Sequence, residues 1–210
     1  MPRKTMPDNT YFSSNPPGLT AQLEKKHFFL AGAGGLGSNV SMMLVRAGAT
    51  KLTIIDFDTI EKANLNRQFY FRNQVGQIKV EALEENLLRI NPDIYISAIQ
   101  DKITAENAGM LIPGNADIIL ECFDCAASKA MLAAFCLRKF PEKPMITVSG
   151  LAGKGALDTI KINKGPGNLL IIGDGESEAA PETGTLSSRV MYAASMQAHL
   201  AIQKVIEIKK

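Results

Sequence analysis

The sequence predicts an α/β fold: a doubly wound, mainly parallel sheet, with antiparallel strands added after residue 150 and a long C-terminal helix. Three observations predict it. An apolar run, 27-HFFLAG-32, passes through glycines into a helical pattern and then a second apolar run. Short apolar runs go on alternating with helical periodicity as far as Gly150, and such alternation puts parallel strands in one sheet with helices on both faces. Beyond Gly150 the alternation stops.

The first 25 residues hold Pro2, Pro7, Pro16, Pro17 and Gly18 among polar side chains. They read as an irregular arm, with a short helix from Thr20. Residues 26–210 read as one domain, a length that a single core sustains. In it, 27-HFFLAG-32 is a strand, Ser38 to Ala47 a helix that Gly48 caps, and 51-KLTIID-56 the next strand. Two strands joined through a helix in one sheet require a parallel, right-handed crossover. A helix follows over 77-QIKVEALEENLLRIN-91 and stops before Pro92. Then come a strand at 94-IYISAI-99, a short helix from Thr104 to Leu111, and a buried strand at 117-DIILECF-123. A helix from Ala126 to Phe140 and a strand at 145-MITVSG-150 complete the alternation. After it, 156-ALDTIKI-162 and 168-NLLII-172 read as antiparallel strands and 173-GDGESEAAPETGT-185 as a charged loop. A helix fills 186–210, with Lys209 and Lys210 suited to the negative end of its dipole.

Composition narrows the function classes. The chain is 46% hydrophobic and 21% charged, with a formal net charge of +2, so neither nucleic acid nor an anionic membrane is indicated as a partner. No apolar run reaches the roughly 18 residues that span a bilayer, and the first residues lack the apolar centre of a secretory signal. A cytoplasmic location is expected. Cys122, Cys125 and Cys136 are odd in number and close together, a poor disulfide framework, and are read as free thiols.

The loop 32-GAGGLG-37 fits G-x-G-x-x-G between a strand and a helix. Gly32 permits the turn, Gly34 lets phosphate approach the backbone, and Gly37 lets the helix pack close. Asp56 ends the second strand, where a carboxylate accepts hydrogen bonds from ribose hydroxyls. Loop and carboxylate make the fold Rossmann-like and predict a nucleotide, without separating NAD from ATP. Hydride transfer commonly needs a nearby acid, and neither His27, opening a strand, nor His199, in the last helix, is a convincing one. Attack on the α-phosphate of ATP instead needs cations and donors to take up charge as pyrophosphate leaves. Arg67 offers a planar fork, Lys79 a point charge, and Asn66 and Gln68 neutral donors, all shortly after Asp56. Asp124 follows the 117–123 strand and is placed to hold Mg²⁺ on the phosphates. Asp58 is a weaker candidate.

These pieces resemble the ThiF/MoeB/HesA family, which is related to ubiquitin-activating enzymes. The matching stretches are 32-GAGGLG-37, 54-IIDFD-58, 64-NLNRQF-69, 76-GQIK-79, 87-LLRINP-92, 121-ECFD-124 and 149-SGLAGKG-155. The loop 173-GDGESEA-179 and the helix 193-AASMQAHLAIQKVI-206 look most like short ThiF-type proteins of thiamine biosynthesis, family 2. The resemblance implies adenylation of the C-terminal carboxylate of a small ubiquitin-fold sulfur carrier ending in Gly-Gly, with ATP giving acyl-adenylate and pyrophosphate. It implies that Gly32, Gly34, Gly35 and Gly37 form the nucleotide loop, that Asp56 binds ribose with Asp58 beside it, and that Asn66, Arg67, Gln68 and Lys79 contact phosphates. Arg67, Lys79 and Asp124 are then the catalytic candidates, with Asp124 supporting Mg²⁺. A homodimer is implied as well.

The sequence departs from longer family members, which bind zinc through two C-x-x-C pairs. No cysteine follows Cys136, so zinc by that route is not expected, nor a thiol nucleophile in the 173–185 loop. The lone 122-CFDC-125 reads as packing beside Asp124, with Cys125 open as a reactive thiol. Arg3 is the sole arginine before Arg46, and its context does not match the family's N-terminal arginine that reaches a partner subunit's nucleotide. The expected function is therefore an ATP-dependent adenylyltransferase that hands its adenylate to a separate sulfurtransferase. Two rivals stand beside it: an NAD(P)-dependent oxidoreductase, resting on the glycine loop and Asp56, and a non-catalytic partner that holds a carrier.

Overall fold

The computed structural model describes residues 11–178 and 182–207; Arg3, Lys209 and Lys210 lie outside them. The strand β1 (His27–Ala31) is buried at every residue, as expected of a strand covered on both faces. Its pleat sends Phe28 and Leu30 to one core cluster and Phe29 and Ala31 to the other. The chain runs on through α2 (Gly35–Ala47) to β2 (Lys51–Ile55), then α3 (Lys79–Ile90) and β3 (Tyr95–Ile99). Gly48 ends α2 at φ 107°, in the left-handed region the expected cap requires.

Next come α4 (Ala108–Leu111), β4 (Ile118–Glu121), α5 (Ala126–Lys139), β5 (Met145–Val148), β6 (Lys161–Lys164), β7 (Leu169–Gly173) and α6 (Ser187–Glu207). The seven strands form one sheet in the order β3-β2-β1-β4-β5-β7-β6. All neighbours are parallel except β6 and β7. The order reverses between β1 and β4, so a crevice opens outside their carboxyl ends, where doubly wound sheets bind ligands.

Two expectations are corrected, the strand at 156–162 and the helix from Thr104, while the antiparallel pairing expected after residue 150 is found between β6 and β7. Residues 157–159 form a 3₁₀ turn, and the edge strand begins only at Lys161, because Gly155 and Ala156 give their carbonyls to Arg189 rather than to the sheet. The neighbouring strand β7 is antiparallel to β6 yet parallel to β5. Helix α4 starts four residues later than Thr104, whose N–H bonds the Asn107 side chain in a preceding turn.

The larger core cluster lies between the sheet and α2, α3 and α6. Ala193, Ala194, Ala198 and Ala201 line the buried face of α6 and let it lie close to α2. A short helix, α1 (Leu19–Leu23), adds Leu19 and Leu23 to the same cluster. His27 is buried, its ring nitrogens 3.2 Å from Asn115 Oδ1 and 2.9 Å from Thr53 Oγ1, so it is a satisfied core histidine; His199 is exposed. No helix among the described residues is long and apolar enough to cross a membrane.

Candidate functional site

A cavity of about 480 Å³ occupies the crevice at the carboxyl ends of β1, β2 and β4, a volume within the usual range for small-molecule sites. The glycine loop forms one side of it, and at two of its positions no larger residue fits. Gly32 sits at φ 108°, and a Cβ there would lie 2.8 Å from the Cys122 carbonyl oxygen; one on Gly37 would lie 1.9 Å from that of Gly32. The Gly32 N–H donates to Ile55 O at 2.7 Å, which fixes the loop to the end of β2. Asp56 continues from there: one carboxylate oxygen accepts the Ala33 N–H at 2.6 Å and the other the Asp58 N–H at 2.9 Å.

The stretch after β2 folds back onto this loop. Asn39 of α2 donates to the carbonyls of Arg67 (2.9 Å) and Gly35 (2.7 Å), and the Ser38 hydroxyl accepts the Phe69 N–H. Arg67 lies against Gly35, with its Cγ 3.6 Å from where a Cβ would stand, and its guanidinium bonds Asn66 Oδ1 (2.8 Å) and Ala63 O (3.1 Å). Gln68 is 8% exposed, and its Oε1 has no hydrogen-bond partner among the described residues. Lys79 opens α3 with its side chain buried and its ammonium 2.7 Å from Asp58. Tyr70 packs beneath, its hydroxyl 2.7 Å from the Ala33 carbonyl; burial first, then the Asp56 charge, hold its phenol well above the usual range.

Asp124 and Cys125 are exposed on the turn between β4 and α5. Below them Glu121, fully buried, accepts both the Lys129 ammonium (3.1 Å to each oxygen) and the Phe123 N–H (2.6 Å), and also bonds the Thr147 hydroxyl. Burial pushes the Glu121 carboxyl up, against the opposing pull of Lys129 and those hydrogen bonds. This network grips the turn that carries Asp124.

Of the sequence candidates, Gly32, Gly34, Gly35, Asp56, Asp58, Arg67, Gln68, Lys79 and Asp124 line this one cavity. Gly37 lies behind the loop, and Asn66 is exposed outside the lining, where it holds Arg67. Sequence reasoning missed Asn39, Lys129, the Lys102 ammonium 5.2 Å above the Phe57 ring at the cavity, and Arg189. A detectable signal existed for Asn39, a polar residue on the apolar side of a helix, and for Glu121, a carboxylate inside an apolar strand.

The three cysteines are free and differ in reactivity. Burial, then the nearby Glu121 charge, push the Cys122 thiol up, and burial pushes that of Cys136 up to about 12. The exposed Cys125 is held below the usual range by the Ser128 amide, then its hydroxyl and the Ala127 amide. Iodoacetamide at neutral pH is therefore expected to label Cys125 well before the others, since the thiolate is the nucleophile. Peptide mass mapping over time checks this; comparable labelling of Cys122 or Cys136 in the folded protein would contradict it.

Comparison with known proteins follows the same lines. The model of the ThiF family matches residues 9–210. The tRNA threonylcarbamoyladenosine dehydratase of Haemophilus influenzae is 34% identical over 139 residues, 66% of this chain and 52% of that protein. The adenylyltransferase and sulfurtransferase uba4 of Pyricularia oryzae is 32% identical over 152 residues, 71% of this chain and 30% of that protein. The matched segment thus spans about half or less of these curated relatives. Among solved structures, E. coli tRNA N6-threonylcarbamoyladenosine dehydratase, TcdA, in complex with ATP, shares the fold. The TM-score is 0.83 at 21% identity, over 92% of this chain and 90% of that one. With a family model matched from residue 9 to the last residue, this chain belongs to the ThiF family.

Proposed function

We propose that this protein is an ATP-dependent adenylyltransferase that activates the C-terminal Gly-Gly carboxylate of a small ubiquitin-fold sulfur carrier, giving acyl-adenylate and pyrophosphate. The observation that carries this reading is the convergence of Arg67, Lys79 and Asp124 with the glycine loop and Asp56 on one cavity. A dinucleotide site needs the loop and the carboxylate; it has no need of two cations and a second acid placed beside them. ATP is the substrate that uses all five.

The residues present fit it. The glycine loop opens α2, thirteen residues long, whose N-terminus favours phosphate. The Asp56 carboxylate, anchored to the loop, is placed for ribose. A carboxylate oxygen of the carrier attacks the α-phosphorus and the bond to pyrophosphate breaks, so negative charge moves onto the leaving group. Arg67 and Lys79 take up that charge, with Asp58 keeping the Lys79 ammonium in place until phosphate arrives. The attacking carboxylate is already a nucleophile, so positioning replaces a general base. Mg²⁺ is usually bound through one or two carboxylates and the substrate's own phosphates. Asp124 at the cavity fits that modest donor set, and the ion when bound neutralises phosphate charge.

A sulfurtransferase is the proposed recipient of the adenylate, since the 173–185 loop carries no thiol to take the acyl group. The carrier of thiamine biosynthesis is the first to test, on the resemblance to short ThiF-type proteins, and a homodimer is the expected assembly. A second reading has one observation in its favour: the dehydratase relative is named for a modified nucleoside of tRNA. A formal charge of only +2 weighs against binding a polyanion such as tRNA. Exchange of labelled pyrophosphate into ATP, run with Gly-Gly carriers and with tRNA as alternative acceptors, separates the two. Exchange that depends on a carrier is the expected result. Exchange with tRNA alone transfers the assignment to the second reading, and titration by NADH but not Mg·ATP would end both.

A further inference from the structure

Arg189 stands where local electrostatics disfavours it. It is 1% exposed, in the first turn of the 21-residue α6, where the helix dipole opposes a cation, and a buried guanidinium is costly unless its donors are matched. They are matched by two segments distant in sequence. Nη1 donates to the carbonyls of Gly155 (2.5 Å) and Ala156 (3.0 Å), Nε reaches that of Leu151 (3.4 Å), and Nη2 donates to Asp174 Oδ2 (3.0 Å).

Asp174 is itself fully engaged. Its Oδ1 accepts the N–H groups of Glu176 (3.0 Å) and Ser177 (2.8 Å), and the Ser177 hydroxyl lies 2.8 Å from Oδ2. Burial works against its charge, but these amides, the hydroxyl and Arg189 hold its carboxyl below the usual range. The two segments touch without room for a side chain between them. A Cβ on Gly150 would lie 2.1 Å from Asp174 Oδ1, and one on Gly173 1.6 Å from Ser149 O.

These contacts join the loop after β5, the turn after β7 and the start of α6. Together the three supply Gly150, Leu151, Ala152, Ser177 and Val190 to the cavity lining. Val190 also reaches the glycine loop, its Cγ1 3.0 Å from where a Gly35 Cβ would stand. None of the nucleotide candidates bonds Arg189. Three of those five wall residues, Gly150, Ala152 and Ser177, are small, a surface suited to an extended chain end that lacks bulk.

We propose that Arg189, braced by Asp174, is a positioning residue that fixes the cavity wall against which the terminal segment of the carboxylate substrate lies. The inference rests on the adenylation reading above, and it predicts damage to the acyl substrate's binding with the ATP side spared. Loss of the wall's alignment by about an ångström is enough to cost on the order of 10²-fold in a positioned reaction.

The test uses Arg189→Lys, Arg189→Gln and the near-isosteric Asp174→Asn in the full chain, with ATP and carrier varied separately in the pyrophosphate-exchange assay. KM for the carrier is expected to rise about tenfold or more, with KM for ATP within about twofold of wild type. Arg189→Lys, which keeps the bond to Asp174 but loses the fork, is expected to fall between wild type and Arg189→Gln. Equal rises in both KM values, or none, overturn the proposal. Should Arg189→Gln fail to fold, Asp174→Asn and Arg189→Lys carry the same comparison. If the wild type exchanges with no carrier, the adenylation reading fails and amide hydrogen exchange judges the wall by itself. Faster exchange in 150–156 and 174–178, with 32–37 unchanged, supports the role of Arg189; protection equal to wild type in those segments contradicts it.

Discussion

Arg67→Ala is expected to lower carrier-dependent pyrophosphate exchange by roughly 10²–10³-fold, the usual effect of removing one donor aimed at developing charge. The same change is expected to move the thermal midpoint by no more than about 2 °C. The two effects separate because the Arg67 side chain does little for the fold. Its guanidinium bonds are with a neighbouring side chain, Asn66, and one exposed carbonyl, Ala63. What anchors this stretch is backbone: Asn39 holds the Arg67 carbonyl and Ser38 holds the Phe69 amide, and both survive truncation. Arg67→Lys should recover only a small part of the rate, since an ammonium has no planar fork. A large fall in midpoint accompanying the lost activity would show Arg67 to be a structural residue.

Lys129→Met is expected to cost about 3–5 kcal/mol of stability near pH 8, the range for removing one partner of a buried ion pair, and clearly less near pH 5. Lys129 is the cation beside the fully buried Glu121. Burial already places the Glu121 carboxyl above its ordinary range, so the folded state holds its proton more tightly than the unfolded one. Such a group contributes its full stability below the unfolded pKa, and the contribution is lost as pH rises through the folded value. Without Lys129 the folded value rises further and the window of loss widens. Urea melts at the two pH values measure the difference, and adding Glu121→Gln should remove most of the pH dependence. A deficit equal at both pH values would mean that the pair is not the source. Because the network also holds the Phe123 amide, activity through Asp124 should fall with it.

How much of this was legible depended on the distance in sequence over which each feature is made. Strands β1, β2, β4 and β5 were readable from apolar runs because both faces of the sheet are covered. The glycine loop, Asp56 and the 64–69 stretch were readable because their chemistry is local and its spacing is fixed by one strand–loop–helix unit. The largest error falls where a distant side chain takes over the backbone. The strand expected from Ala156 was lost to Arg189, which lies 33 positions later, and no local pattern records that partnership. The same holds for Glu121 with Thr147, 26 positions apart, and Asn39 with Arg67, 28 apart. In each case the sequence held half of a signal, a polar or charged residue at a position whose periodicity asks for an apolar one. The other half was the partner, and only the fold supplies it.

The most direct measurement is the intact mass of a Gly-Gly carrier after incubation with this protein and Mg·ATP. A carrier heavier by one adenylate is expected, formed with release of pyrophosphate. The adduct should be absent when the carrier's terminal carboxylate is amidated and strongly reduced with Arg67→Ala. Release of ADP and phosphate, with every carrier's mass unchanged, would contradict it.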